Sequence, residues 1–322
     1  MNSNAICVKQ RKTEKKINKK KLLSSIKRNK LYYLLIIPGL LYFIIFHYGP
    51  MFGIIIAFKD IAPFEGVKGI INGPWVGFKH FVTFFQSYYF WDVLGNTVVI
   101  SAYRIIFGFP APITLALLLN EVKNQKFKRT VQTISYLPHF ISTVVLAGLI
   151  TTVLSTNGGI VNEIIKKIGK EPIFFIGSTK YFRTILISSG IWQGIGWGSI
   201  IYLASISGID PQLYEASIVD GANRWKQTWH ITLPGMSNVI VIMFIFAVGS
   251  LLNAGFEQIL LLYSPAVYEV SDIIDTYVYR EGLISLRYSF ASAVGLFKSI
   301  IAMTLLISTN YLAKRFEQSG IW

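Results

Sequence analysis

Arg104, Gln193, Asn253, Glu257 and Gln258 are polar or charged side chains set inside stretches that are otherwise apolar. Such groups are costly to keep away from water, so they mark either a path for a polar solute or a contact between helices. Trp192 and Trp197 stand beside Gln193. Their ring faces suit a solute with C–H surfaces, and they suit lipid or a neighbouring helix equally well; Arg104 and Glu257 can likewise pair or snorkel toward water. Reaction chemistry is not visible. His47, His80, His139 and His230 are dispersed, with no H-E-x-x-H and no paired-ligand spacing. Cys7 is the lone cysteine, which excludes an intrachain disulfide framework and a multi-cysteine metal site. Gly190, Gly194 and Gly198 make overlapping G-x-x-x-G spacings, but no G-x-x-x-x-G-K-[ST] and no preceding strand accompany them, so they predict close helix packing. No nucleophile elbow is present either. The chain is expected not to be an enzyme and to hold no cofactor or metal.

The elements that carry these residues are set by composition. With 52% hydrophobic and 15% charged residues, and a mean hydropathy of +0.50, the chain departs from soluble domains, in which about 25% of residues are charged. Several runs approach the roughly 20 apolar residues that cross a ~30 Å hydrocarbon core. Backbone facing lipid must satisfy its own hydrogen bonds, which favours helices, and the ten-residue alternation of a β-barrel is missing. The pattern predicts an all-α polytopic membrane protein with six spans, near residues 32–58, 93–119, 131–154, 184–206, 236–262 and 288–312. Pro38 and Gly49-Pro50 should kink or end the first span, and Pro110 and Pro112 should break the second. Residues 59–92 read as an exterior segment whose Trp75, Phe78, Phe81, Phe84 and Phe85 suggest an interfacial helix, and a small amphipathic helix is expected near 160–168.

Charge sets the expected orientation. The net charge is +15, and eleven of the 31 Lys and Arg residues lie in residues 1–30 against Glu14 alone. Because this block abuts an apolar run, attraction to lipid headgroups and cytoplasmic retention explain it better than nucleic acid does. It is too long for the basic region of a cleaved signal. Both termini are therefore expected in the cytoplasm, with residues 1–30 as a basic tail and 31–322 as the membrane domain. One loop runs against the trend: residues 155–183, expected outside, carry Lys166, Lys167, Lys170, Lys180 and Arg183 against two acids.

The soluble-looking stretch 215–234, between the fourth and fifth spans, reads E-A-S-I-V-D-G-A-N-R-W-K-Q-T-W-H-I-T-L-P. Asp210-Pro211 is a helix start, with a capping carboxylate followed by a residue that gives up no needed donor. A helix from there to about Asp220 should stop at Gly221, and a second should run over about 223–229 toward Leu233-Pro234. Glu215, Ala216, Gly221, Ile231, Leu233 and Pro234 fall at the spacings of E-A-A, three residues, G, nine residues, I-x-L-P, with Ser217 at the second alanine. This segment resembles the coupling loop by which the permeases of binding-protein-dependent ABC importers grip their ATPase.

The resemblance extends over about 31–322. Y-G-P-M-F-G-I-I-I-A-F-K-D (48–60), P-W-V-G-F-K-H-F (74–81) and L-G-N-T (94–97) resemble the carbohydrate-uptake permeases. G-F-E-Q-I (255–259) and Y-E-V-S-D-I-I-D-T-Y-V-Y-R (268–280) resemble the subgroup for oligosaccharides released from polysaccharides. The resemblance implies the type I importer fold, with a cytoplasmic coupling loop over about 207–235 in which Glu215, Ala216, Asp220, Gly221, Ile231, Leu233 and Pro234 meet the ATPase. It also implies a second homologous permease, two ABC ATPase subunits that use ATP and Mg, and an extracytoplasmic solute-binding protein. Trp192 and Trp197 would then stack on sugar rings, while Gln193 and Asn253 hydrogen-bond hydroxyls. The exterior basic residues suit an acidic oligosaccharide or an acidic binding-protein surface equally. Another solute, such as a glycerol-phosphate compound, would use the same machine. An ion-driven secondary transporter would have no use for the coupling motif and predicts an inverted repeat that is not evident.

Overall fold

The structure, a computed structural model, describes residues 28–315. Most of the basic tail, Cys7 and the residues after Arg315 lie outside that range. The chain divides into two units, Met1–Ile54 and Ile55–Trp322. In the first, helix Lys30–Phe43 passes into a π-helical turn, Ile44–Tyr48, and then Gly49–Met51. Together with the following turns, Lys30–Phe58 is a 29-residue helical stretch long and apolar enough to cross a membrane.

Among the described residues the structure is helical, apart from one isolated bridge between Lys59 and Trp75. Three helices, Lys30–Phe58, Phe90–Glu121 and Tyr288–Arg315, are long and apolar enough to span, or up to five if each of two bent pairs counts as one. The expected fourth span is the 29-residue helix Thr179–Ser207, about 43 Å long at 1.5 Å per residue. It is not one of the three: Lys180 and Arg183 stand in its first turns, and glycines, serines and Gln193 dilute its apolar run.

The expected breaks fall elsewhere. Pro110 and Pro112 do not interrupt the second span, which runs unbroken from Phe90 to Glu121. The reason is a π turn at Arg104–Gly108, in which the Phe109 amide reaches back five residues to the Arg104 carbonyl. The wider turn relieves the clash between a proline ring and the carbonyl four residues before it. The same device precedes Pro50, at Ile44–Tyr48, and Pro234, at Thr228–Thr232. Conversely, the third span is not straight: Gln125–Phe140 and Thr143–Val153 meet at 102°. The fifth is bent by 64° at its start and broken again after Gly249, where Ala254 (φ 44°) and Gly255 (φ 79°) adopt left-handed conformations before helix Phe256–Leu262.

The aromatics expected on the exterior are also redistributed. Helix Lys79–Phe85 forms, but its Phe81 and Phe84 are buried, so they are core and not an interfacial belt. Phe84 packs with Phe90, Val93, Ile274, Tyr277, Phe290 and Val294, joining the start of the second span to the last two helices. The expected amphipathic helix is Ile160–Lys167. It is tied down by buried Asn162, which donates to the carbonyls of Leu154, Ser155 and Ile173 and accepts from the Ile173 amide at 2.8 Å.

The glycine stripe is only partly a packing stripe. A Cβ on Gly198 would press on Pro112 at 3.0 Å, and one on Gly196, outside the stripe, would overlap the Ser135 backbone. Gly190 and Gly194 instead border open space: a Cβ on Gly190 would meet nothing nearer than 3.7 Å, and one on Gly194 nothing within 4 Å.

Candidate functional site

Residues 210–235 fold into a helix–turn–helix knob. Asp210 caps helix Pro211–Val219 by accepting from the Gln212 amide at 2.9 Å, and Asn223 caps Arg224–Gln227 through the Lys226 amide at 2.9 Å. Between them Gly221 turns the chain with φ 74°, a conformation that costs a residue with a Cβ. Two side-chain bonds clamp the helices together: the Tyr214 hydroxyl with Thr232 Oγ1 at 3.0 Å, and Gln227 Nε2 donating to Ser217 Oγ at 3.0 Å. Ser217, the departure from the alanine pattern, thus supplies the acceptor for a buried glutamine.

Glu215, Ala216, Asp220, Gly221 and Pro234 are exposed, and the Glu215 side chain makes no hydrogen bond or ion pair among the described residues. Ile231 and Leu233 are half-buried, and Leu233 packs against the cluster of Ala116, Tyr202, Ile206 and Met236. The knob therefore has an open outer face and a root set against Ala116 of the second helical run and Tyr202 and Ile206 of Thr179–Ser207. Arg224 reaches Glu121 at 3.7 Å, but both are exposed and the pair contributes little.

The second feature is a cavity of about 910 Å³. Five of the seven polar and aromatic candidates line it: Arg104, Gln193, Asn253, Glu257 and Gln258. Trp192 and Trp197 do not line it; Trp197 is stacked on His139 at 4.6 Å and edged by Phe140. The break in the third span explains Gln193, whose Nε2 donates at 2.9 Å to the Ile141 carbonyl that the bend leaves without a helical partner. Gln258 bridges Ser189 Oγ, at 2.7 Å, and Arg104 Nη2, at 3.2 Å. Glu257 is exposed and accepts from Thr143 Oγ1 at 3.2 Å.

Sequence reasoning missed the other half of this wall. Asp275 and Tyr279 come from helix Ile274–Tyr279, Tyr288 and Ser292 from Tyr288–Arg315, and Thr143 from the bent third span. Lys298 holds both Asp275 oxygens at 2.6 Å and donates to Asn253 Oδ1 at 2.9 Å. A single lysine within the sixth apolar run was the signal that could have found it.

The segment 263–287, expected as an exterior loop, is held by a buried network. The Asn96 amide donates to the carbonyls of Tyr268, Glu269 and Asp272 at 3.4, 3.0 and 3.1 Å, while its oxygen accepts from Arg183 Nη2 at 2.6 Å. Arg183 Nε donates to the Val270 carbonyl at 3.0 Å, and the Ile274 amide to Thr97 Oγ1 at 2.9 Å. Arg280 grips Asp272 at 2.6 Å. Burial opposes the Arg280 charge, but its hydrogen bond to Asp272 and the attraction of that carboxylate outweigh this and raise its pKa. Asn96 and Thr97 belong to the L-G-N-T motif, and Asp272 to Y-E-V-S-D. These motifs are scaffold: they fix the helix that presents Asp275 and Tyr279 to the cavity. Arg183 is consequently not a free exterior cation, and Lys166 is paired with Glu163 at 2.9 Å.

Residues 108–319 match the family described as "Binding-protein-dependent transport system inner membrane component". The chain belongs to this family. It is therefore a membrane permease component, with a role in transport rather than in catalysis. It is 46% identical over 308 residues to the polygalacturonan/rhamnogalacturonan transport system permease protein YteP of Bacillus subtilis (strain 168), covering 96% of this chain and 95% of that one. To the protein LplB of the same organism it is 42% identical over 300 residues, 93% of each chain. A chain in the crystal structure of a bacterial alginate ABC transporter in complex with alginate pentasaccharide-bound periplasmic protein superposes with a TM-score of 0.86 at 42% identity, over 94% of this permease and 100% of that chain.

Proposed function

We propose that this permease forms half of the translocation pathway of an ATP-driven importer of oligosaccharides. It would have six spans in the cell membrane, both termini and the knob at 207–235 in the cytoplasm, and a basic cytoplasmic tail over 1–30. Its partners are a second homologous permease, two ABC ATPases that bind ATP and Mg, and an extracytoplasmic binding protein. The observation that carries this reading is the pairing, in one chain, of a clamped knob with a polar cavity. The knob leads, through a 64° bend, into the fifth span, and the same span supplies Asn253 just before its break at Ala254-Gly255, and Glu257 and Gln258 just after it, to the cavity wall. Closure of the ATPase dimer would displace the knob as a rigid body, since Tyr214–Thr232 and Gln227–Ser217 prevent its two helices from moving separately. The fifth span would carry that displacement to the cavity, opening it outward to take substrate from the binding protein. That the relatives serve polygalacturonan, rhamnogalacturonan and alginate uptake supports an oligosaccharide as cargo.

The test is reconstitution with the co-expressed permease and ATPase, comparing wild type with Gly221→Asp. At φ 74° a side chain strains the turn, and a carboxylate there also disturbs the docking face. Loss of assembly and of ATP hydrolysis is expected; normal values for both would remove the coupling role of the knob.

A further inference from the structure

Arg104 has a surrounding that the transport reading alone does not explain. It lies in the middle of the Phe90–Glu121 span, the least favourable depth for an unpaired charge. Of the three charged groups that line the cavity, Asp275 is neutralised by Lys298 behind it, and Glu257 is exposed with Thr143 as its donor. Arg104 instead makes one hydrogen bond, to the neutral oxygen of Gln258, and its Nε is buried with no partner among the described residues. No carboxylate comes within ion-pair distance of it there.

The fold makes room for this guanidinium. Gly255 holds φ 79° against it, and a Cβ at that position would overlap Nη2. On the other side lies Gly190, where even an added Cβ would stand 3.8 Å from Nη1, in ordinary contact. Arg104 also borders three cavities at once, the main one and two smaller ones of about 340 and 200 Å³. It therefore stands where the main cavity continues along the Gly190–Gly194 side of the fourth span. A planar fork with unsatisfied donors at a cavity junction suits a bidentate carboxylate, and Tyr279, Tyr288 and Phe256 offer the flat apolar surface that a sugar ring prefers.

We infer that Arg104 reads the carboxylate of a uronic-acid unit as an acidic oligosaccharide passes through the cavity. This rests on the oligosaccharide reading above. Neutral residues of the same chain would be held by Gln193, Asn253 and Glu257 through their hydroxyls, with Arg104 setting the preference for acid.

The experiment uses the full transporter, assembled with its partner permease and ATPases and trapped with vanadate, without the binding protein. Trigalacturonate, its full methyl ester and maltotriose are titrated by calorimetry. Wild type should bind the acid at least about tenfold more tightly than the ester, the effect of a hydrogen bond to a charged group. Arg104→Gln should bring that ratio close to one while leaving ester binding in place, and Arg104→Lys should retain part of it. Equal affinity of wild type for acid and ester would overturn the inference without recourse to any variant. Equal weakening of both probes in Arg104→Gln would also overturn it, assigning Arg104 to helix packing or to an acid on the partner permease. Binding of maltotriose with no preference for acid would remove the Arg104 assignment alone, whereas no binding of any probe would remove the oligosaccharide reading with it.

Discussion

Asn96→Ala should loosen the segment that carries Asp275 and Tyr279, and the size of the effect follows from the bonds lost. Asn96 is 3% exposed, so water does not replace its partners. Its two N–H groups serve three carbonyls, and its oxygen takes a charged donor from Arg183 at 2.6 Å. Two neutral bonds at about 1 kcal/mol each and one charge-assisted bond at about 1.5–3 kcal/mol give a loss of roughly 3–5 kcal/mol. For a chain of this size a loss of 1 kcal/mol lowers the melting temperature by about 2–3 °C, so the expected shift is about 6–15 °C. The assay is thermal unfolding of the assembled transporter at one fixed scan rate, because membrane complexes commonly unfold irreversibly. Limited trypsin digestion at Arg280 and Arg287 reports locally on the same segment. Arg183→Ala shares the bond, so the double variant should lose less than the sum of the single ones by at least about 1 kcal/mol. A melting shift under about 2 °C with no faster cleavage at Arg280 would refute the scaffold role given to the L-G-N-T motif. Additive losses would refute the shared bond.

Gly255→Ala should cost about 2–4 kcal/mol, from the left-handed backbone and the collision with Arg104, and should impair transport. Gly95→Ala, in a helix with nothing within 4 Å of its added Cβ, is the control and should be neutral or slightly stabilising by melting temperature. The Asp60 carboxylate is held below its ordinary pKa by the hydrogen bond from Lys79, with desolvation working against this. Its contribution is therefore in place above the unfolded carboxylate's value of about 4 and is lost as pH falls through the lower folded value. Both partners are about half exposed, so Asp60→Asn should cost under about 1 kcal/mol at pH 7 and nothing measurable at pH 2 in melting experiments.

What the sequence determined by itself was local or additive. Apolar length forces helices because lipid supplies no hydrogen bonds, and this holds whatever the helices pack against. The knob was legible residue by residue, since Asp210, Pro211, Asn223 and Gly221 act on backbone within three positions of themselves. Lys298 was passed over although it stands as a charge in an apolar run, and its partner left no local trace. The tertiary structure decided what depends on distant approach. Gln193 meets Ile141 across 52 positions, Arg104 meets Gln258 across 154, and Asn96 meets Asp272 across 176. No periodicity encodes such pairs. The same holds for the prolines: a rule of local sterics predicts a break at Pro110, whereas a π turn one residue wider absorbs it, and the real breaks fall at 141–142 and 254–255, where other helices supply the missing bonds and space. Which polar residues face one cavity, and that Trp192 and Trp197 lie outside it, was fixed only when those breaks turned the helices against one another.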